Sequence, residues 1–455
     1  MICESLTSNC HDLPKPKAEL AGLKLHSNRT IMAQKTLEKK PLLLLVPHYV
    51  GSLRYFEKLL PHLAGRYDVR FLLIFGRRSF GEMTVYAREH NSPFIAINPP
   101  KYRALLRRLP LYVTIRNAVH YSREVEKMLR ERKPARIVAT NDQGFYMRRL
   151  IEEANRRGVD TAVLQWALTY PGQRIRPQKQ APLWRKHIYR IGKPLYIHIR
   201  DNLLKIALGN DSRWHKGIIG GGSAKRFGVI NKQALEWFKA RGVPAEKMTV
   251  VGYLDFHLSK EINEEFCRDA SKKEEAAKRH NIDLKKKNII FYSTPFNRKD
   301  TAILTDEEQR RMTETLVRAV RDICPKDEYG LLFKPHPSET KEQYSYLSPY
   351  SVSFMDPLAD NSELIALSDL YIAGVSTTNF IPISMDKDAV FVNLAKLPQV
   401  ESARPFFGIK KFVTEPAELH LLLNDFKRGN LERQYEGREK IITDESLEKI
   451  LNWIG

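Results

Sequence analysis

The stretch from Tyr329 to Phe380 constrains the fold more than any other part of the chain. It opens on Gly330-Leu331-Leu332-Phe333, an apolar run long enough for a buried strand. Lys334-Pro335-His336-Pro337 follows at once. Two prolines fix φ and remove backbone donors, so neither strand nor helix continues and His336 is set on a stiff turn. Thr340 and Gln343 then have the spacing of a capping box, which predicts a helix start. Further on, Ser362 to Leu367 reads as a helix and Asp369 to Ala373 as a second buried strand. Gly374-Val375-Ser376-Thr377-Thr378-Asn379 opens the next helix. A helix start offers unpaired N–H groups and the positive end of the dipole, and three hydroxyls there add donors, which suits a phosphate. One strand end thus carries Lys334 and a cationic or neutral His336, and another carries a hydroxyl-lined turn. Each motif alone also has a structural reading, as a proline turn or an N-cap.

The same alternation runs through the rest of the chain. Residues 1–40 are polar and Lys-rich, carry no signal-peptide pattern, and read as a disordered lead. Pro41 begins the folded part with strand, loop, helix and strand to Phe75. The loop Pro47-His48-Tyr49-Val50-Gly51 lies at a strand's carboxyl end, where Gly51 lets a ligand approach the backbone. His48 is there either a cleft residue or a surface turn. A helix near Phe80–His90, a strand Phe94–Ile97 and a long basic helix from about Leu111 to Lys133 come next. The strand Arg136–Thr140 ends in Asn141-Asp142-Gln143-Gly144. Asp142 is the best-placed carboxylate of this half for taking a proton from a hydroxyl, and is as readily a helix cap. The repeated strand–helix order predicts parallel, doubly wound sheets.

Two segments interrupt the pattern. Residues 174–216 are rich in Lys and Arg, with Trp184, Tyr189, Tyr196 and Trp214 interleaved, and Leu195, Ile199, Leu203 and Ile206 share one helical face. Such basic amphipathic helices suit an anionic membrane interface, or pack their apolar face on the domain. Gly220-Gly221-Gly222 lacks the spacing of a phosphate-binding loop and marks a turn before the strand Phe227–Ile230. Glu261 to Lys287 reads as charged and helical, and forms the crossing into a second sheet that starts at Asn288. Asp386-Lys387-Asp388 reads as a turn and not as a metal site, and Glu415 to Gly455 reads as two amphipathic helices.

Lys plus Arg number 75 against 53 acidic residues, a net charge of +22. That balance implies a polyanionic partner: nucleic acid, an anionic membrane surface or a phosphate-bearing substrate. No nucleic-acid motif accompanies it, so nucleic acid is not the expected partner. No apolar run approaches the length of a membrane span. The four cysteines have no metal-ligand spacing, which fits a reduced cytoplasmic setting.

The KPHP turn after one strand and SDLYIAGVSTTNF after another resemble the donor half of GT-B glycosyltransferases. The style is that of the bacterial polysialyltransferases, capsular Kdo transferases and CDP-glycerol glycerophosphotransferases. The resemblance spans roughly Thr249 to Asn393, with Ser-Thr-Thr in place of the usual Ser-Ser pair. It implies an α/β fold of GT-B type: two Rossmann-like domains facing across a cleft, about 41–255 for the acceptor and 256–455 for the donor. It implies sugar transfer from a nucleotide-activated donor to a glycan or lipid-linked acceptor in surface polysaccharide synthesis, on the inner face of a membrane. By resemblance, His336, Ser376, Thr377 and Thr378 contact the donor phosphates. Lys334 adds charge beside them, and Gly374 opens their turn. Arg298 meets a phosphate or is simply solvated. Glu363 holds a ribose hydroxyl or completes a helix cap with Asp360. Asp142 and His48 are the acceptor-side catalytic candidates. No metal and no cofactor beyond the donor substrate are expected. A CDP-polyol phosphotransferase, a nucleotide-sugar 2-epimerase and a degenerate scaffold that binds membrane or polyanion are the competing readings.

Overall fold

The computed structural model describes residues 40–75, 79–101, 110–167, 198–199, 202, 218–297 and 303–455. Two parallel sheets organise them. The first takes its strands in the order β3-β2-β1-β4-β5-β6-β7. These are β1 Leu42–Val46, β2 Asp68–Ile74, β3 Phe94–Ile97, β4 Arg136–Ala139, β5 Asp160–Leu164, β6 Arg226–Val229 and β7 Met248–Val250. The second follows the order β10-β9-β8-β11-β12. Its strands are β8 Lys287–Tyr292, β9 Tyr329–Lys334, β10 Ser353–Phe354, β11 Leu370–Ala373 and β12 Asp388–Phe391. Every pairing in both sheets is parallel. Parallel strands need helical crossovers, which cover both faces, so central strands read as continuous apolar runs. Leu43 to Val46 and Ile289 to Tyr292 are buried throughout for that reason.

Each strand order reverses once, at β1/β4 and at β8/β11. At such a switch point the flanking loops leave in opposite directions and open a crevice at the carboxyl ends of the strands. The two sheets therefore each offer one ligand crevice, and the loops called out in the sequence sit at them.

The crossing between the sheets is helical, as its sequence reads, and consists of two helices, Leu254–Arg268 and Ala270–Arg279. Asp269 separates them, and its carboxylate caps the second by accepting from the N–H groups of Ser271 and Lys272. The first crossing helix packs against Asn361–Ala366, Phe380–Ser384 and the last helix, Ser446–Ile454. Phe256 meets Phe380 at 5.3 Å between ring centroids, and the hydroxyls of Ser259 and Ser362 share a buried hydrogen bond of 2.9 Å. After Pro416–Arg428 the chain turns at Gly429 (φ 76) and adds Arg438–Ile441 before the last helix, three helices where the sequence suggested two. That last helix lies on the first sheet's side, with Arg226 stacked over the Trp453 ring at 5.1 Å.

Two expected helix starts resolve differently. The Thr340 capping box forms, with Gln343 Oε1 accepting the Thr340 N–H, but it opens a 3-10 stretch, Lys341–Tyr350. Pro349 and the left-handed Ser351 (φ 50) keep that segment from settling into an α-helix. At Ser376 a 3-10 turn, Thr377–Asn379, runs into a helix of only five residues, Phe380–Ser384. So short an element sums few peptide dipoles, so N–H groups and hydroxyls matter there more than a macrodipole.

Gly252 is the position where the crossing depends on glycine. Its φ is +86, and a Cβ would lie 2.0 Å from Ser446 Oγ and 3.1 Å from Ser446 Cα, on the last helix. We expect Gly252→Ala to lower the free energy of unfolding by about 2 kcal/mol or more. Urea denaturation that shows no change in midpoint would contradict this role.

Candidate functional site

Register decides what stands together at the second sheet's switch point. Tyr292, the last residue of β8, pairs with Lys334 of β9 on one side and with Ala373 of β11 on the other. The chain therefore delivers His336 two residues beyond one partner and Ser376 three residues beyond the other. Adjacent strands are about 4.8 Å apart, so the two turns flank the β8 tip at roughly twice that spacing. That is the scale of a phosphate group or pyrophosphate.

The His336 turn is held from behind. Glu339 Oε2 accepts the His336 N–H at 2.9 Å, and Glu339 Oε1 accepts the Tyr344 hydroxyl at 2.7 Å. Tyr344 also bonds Ser293, just past β8, at 2.7 Å. The imidazole Nδ1 accepts the Ser338 N–H at 3.1 Å and lies 2.8 Å from Ser338 Oγ. A backbone N–H can only donate, so Nδ1 is the acceptor and Nε2 carries the ring proton. Glu339 and Tyr344 were not singled out in the sequence. The His-Pro-x-Glu spacing, which lets a carboxylate return to the histidine's own N–H, was the signal.

Lys334 is only 3% exposed, and its ammonium donates to the Pro357 carbonyl at 2.8 Å. Burial pushes it down to about 8; Arg54 adds to the shift, while Asp356 and Asp360 oppose it. It is thus a fixed charge beneath the turn, and its ammonium is engaged by the chain. Pro357 belongs to the segment after β10, where Arg54 of the helix Val50–Glu57 also donates to the Leu358 carbonyl at 3.3 Å.

In the facing turn, Ser376 Oγ accepts from both the N–H and the hydroxyl of Thr378, at 3.3 and 2.9 Å. Its own proton is not used inside the turn. Tyr371 lies 3.1 Å from Thr378 Oγ1 and donates to Asn379 Oδ1 at 2.8 Å, while Asn379 donates to the Gly374 carbonyl. Ser376, Thr377 and Thr378 are all half-exposed, and of the three hydroxyls that of Thr378 is an internal tie. A Cβ on Gly374 would lie 3.2 Å from Thr294 Oγ1, so this glycine lets the β8 and β11 loops approach each other.

Two expected site residues have other employment. Glu363 binds Arg279 at 3.0 Å through one oxygen and His280 at 2.8 Å through the other. Asp360 caps its helix, accepting from the N–H groups of Ser362 and Glu363, while the Glu363 carboxylate is used by these two side chains. Asp142 is 2% exposed and its carboxylate accepts from the N–H groups of Gly220 and Gly222, at 2.9 and 2.8 Å, and from Gln143. It clamps the glycine turn and is not presented to an acceptor as a base. The sequence could not show this, because the partners lie far along the chain. Arg298 lies outside the described residues, as does the 174–216 segment apart from residues 198–199 and 202.

At the first sheet's switch point, His48 follows β1 and is half-buried. The buried Ser52 hydroxyl accepts the N–H groups of His48 and Tyr49, at 2.7 and 3.1 Å, and donates to the Tyr49 carbonyl. Tyr49 packs edge-on against Trp166, beyond β5, at 4.7 Å. Gly51 faces the same indole, so Trp166 fills the approach that the glycine was expected to leave open. Among the described residues, no group of three or more His, Cys, Asp or Glu is placed to hold a metal.

Residues 238–355, from the helix after β6 through β10, match the family model of alpha-2,8-polysialyltransferase. No curated protein matches the chain in sequence. Among solved structures, the chain is similar to the UDP-GlcNAc 2-epimerase of Neisseria meningitidis bound to UDP-GlcNAc. The TM-score is 0.55 at 10% identity, over 91% of this chain and 99% of that chain. The UDP-GlcNAc 2-epimerase of Methanocaldococcus jannaschii gives 0.54 at 11% identity, over 91% and 99%. The fold is GT-B. The match of 238–355 contains the His336 turn, and together with the GT-B fold it supports a glycosyltransferase of polysaccharide synthesis. Epimerases share the architecture, so the fold alone does not choose between sugar transfer and epimerisation, and the family match favours transfer.

The clamp has a direct test. In Asp142→Asn the new amide must present its nitrogen to Gly220 N–H, Gly222 N–H or Gln143, donor against donor. We expect a loss of about 2 kcal/mol in stability, read by thermal unfolding. Activity should fall only as far as the folded fraction does; loss of turnover in a fully stable variant would return Asp142 to the catalytic set.

Proposed function

We propose that this GT-B protein transfers a sugar from a nucleotide-activated donor to a glycan or lipid-linked acceptor. The observation that carries the reading is the pair of turns on either side of Tyr292: a histidine whose Nε2–H is fixed by its own turn, facing a hydroxyl-lined loop. In a transfer reaction the charge that develops is on the leaving phosphate. Preorganised donors aimed at that charge are worth more than any contact equal in ground and transition states. His336 Nε2, the Ser376 and Thr377 hydroxyls and the N–H groups of those two residues are such donors. Lys334 supplies a positive field from beneath, with little dielectric screening because it is buried. The epimerase neighbours, one of them bound to UDP-GlcNAc, support a nucleotide sugar as the ligand class.

His48 takes the acceptor side. It stands at the first sheet's switch point, on backbone pinned by Ser52, and an imidazole is suited to receive a hydroxyl proton near neutral pH. The basic segment 174–216 and the charge of +22 support contact with an anionic membrane, where a lipid-linked acceptor would be met. No described helix is long and apolar enough to cross a membrane.

Thermal unfolding against UDP, CMP, CDP, GDP and ADP at constant ionic strength tests the donor site. Saturation at a hundredfold excess over Kd stabilises by about 2.7 kcal/mol. One nucleotide should shift wild type and fail to shift His336→Ala, whose own Tm stays near wild type while turnover falls by about a hundredfold or more. Equal losses in Tm and activity would make His336 a folding residue.

The charge on Lys334 sets a pH window. Its folded value of about 8 lies below the ordinary lysine value, so it is charged below pH 8 and loses its proton as the pH rises through 8. Nucleotide affinity should hold below pH 8 and decline above it, while Lys334→Met binds more weakly and without that decline. Parallel pH profiles for the two proteins would remove Lys334 from the site.

A further inference from the structure

We infer that Tyr49 and Trp166 form a stacking platform for a pyranose ring of the acceptor. The inference rests on the transferase reading and adds the acceptor subsite to it. Among the described residues, Tyr49 is one of the few large apolar side chains that are exposed, at 40%. Its position is specific: it follows β1 directly, at the point where the first sheet reverses strand order. Trp166 follows β5, on the far side of β4. The two rings meet at 75° with centroids 4.7 Å apart, an edge-to-face contact that fixes the plane of the tyrosine ring. His48 meets the Tyr49 ring edge-on, with centroids 5.4 Å apart.

The backbone under the platform is pre-set. Ser52, fully buried, bonds both N–H groups and the Tyr49 carbonyl, and Ser79 Oγ donates to the His48 carbonyl at 3.2 Å. A loop tied at each of these groups loses little conformational freedom on binding. A pyranose has one face of axial C–H groups and a rim of hydroxyls. The C–H face, slightly positive, lies well on the negative face of an aromatic ring, and the rim needs polar neighbours. Tyr49 supplies the ring and His48 the polar neighbour one residue away.

Binding of fluorescently labelled saccharides by anisotropy tests the platform, with an α-2,8-linked sialic acid trimer and lactose as probes. Wild type should bind at least one of them. Tyr49→Ala should weaken that binding by about tenfold, the cost of truncating one aromatic anchor. Tyr49→Phe, which keeps the ring, should restore it. The nucleotide-induced shift in Tm should remain in Tyr49→Ala, because the donor turns lie on the other sheet. Equal saccharide affinity in Tyr49→Ala, or no binding of either probe by wild type, overturns the platform while a persisting nucleotide shift leaves the transferase reading intact. A nucleotide shift lost in Tyr49→Ala would assign the ring to the donor and also overturn it. Absence of any nucleotide shift in wild type is the separate outcome that sinks the transferase reading itself.

Discussion

The parallel pairing of β8 with β9 on one side and β11 on the other is the constraint on which the donor half depends. Parallel strands run their carboxyl ends to one edge of the sheet, and Tyr292 stands level with Lys334 and Ala373 there. A slip of one residue in either ladder would reverse which face each side chain occupies. It would also separate the His336 turn from the Ser376 turn along the edge. Buried, continuously apolar strands make such a slip expensive, because each of Ile289, Ile290, Leu331, Leu332, Ile372 and Ala373 is in the core. The chemistry proposed here is therefore positioned by hydrophobic burial several residues away from the reacting atoms.

The two halves meet through mixed contacts. Lys58 pairs with Asp255 at 3.0 Å and reaches Asp360 at 4.0 Å, both partly exposed, so these pairs contribute modestly. The crossing helix is seated on both sides by aromatic contacts, Tyr55 with Tyr253 in the first half and Phe256 with Phe380 in the second. Arg54, on the helix that begins at the Tyr49 loop, and Lys58, at that helix's end, reach Leu358 and Asp360 in the segment that also accepts the Lys334 ammonium. The His48 loop and the Lys334–His336 turn are thus linked through one helix and one loop.

Polar residues explain most of the distance between the reading of the chain and the molecule. Asp142 and Glu363 were singled out as carboxylates at strand or helix ends, a correct description of where they sit. Their partners, Gly220 and Gly222 for one and Arg279 and His280 for the other, are brought to them by tertiary packing. A buried carboxylate takes whatever donors the fold supplies, because leaving it unpaired costs more than any functional gain elsewhere. Lys334 illustrates the intermediate case: its place beside His336 was legible, whereas its burial under Pro357 was not.

What the sequence by itself determined is the set of local signals: apolar runs of strand length, prolines and glycines that end them, and alternation with helices. Those follow from the steric rules of a few consecutive residues, and they sufficed for parallel α/β sheets and for the turns at His336 and Ser376, while the GT-B type was implied by the resemblance of the KPHP and SDLYIAGVSTTNF motifs. Tertiary structure decided which strands are neighbours, and hence that these two turns flank one residue. It also decided which hydroxyls are spent inside a turn, and that Tyr49 stands against Trp166 across an intervening strand. The physical reason is that pairing, burial and hydrogen-bond completion are properties of residues distant along the chain, whose proximity exists only once the sheets have formed.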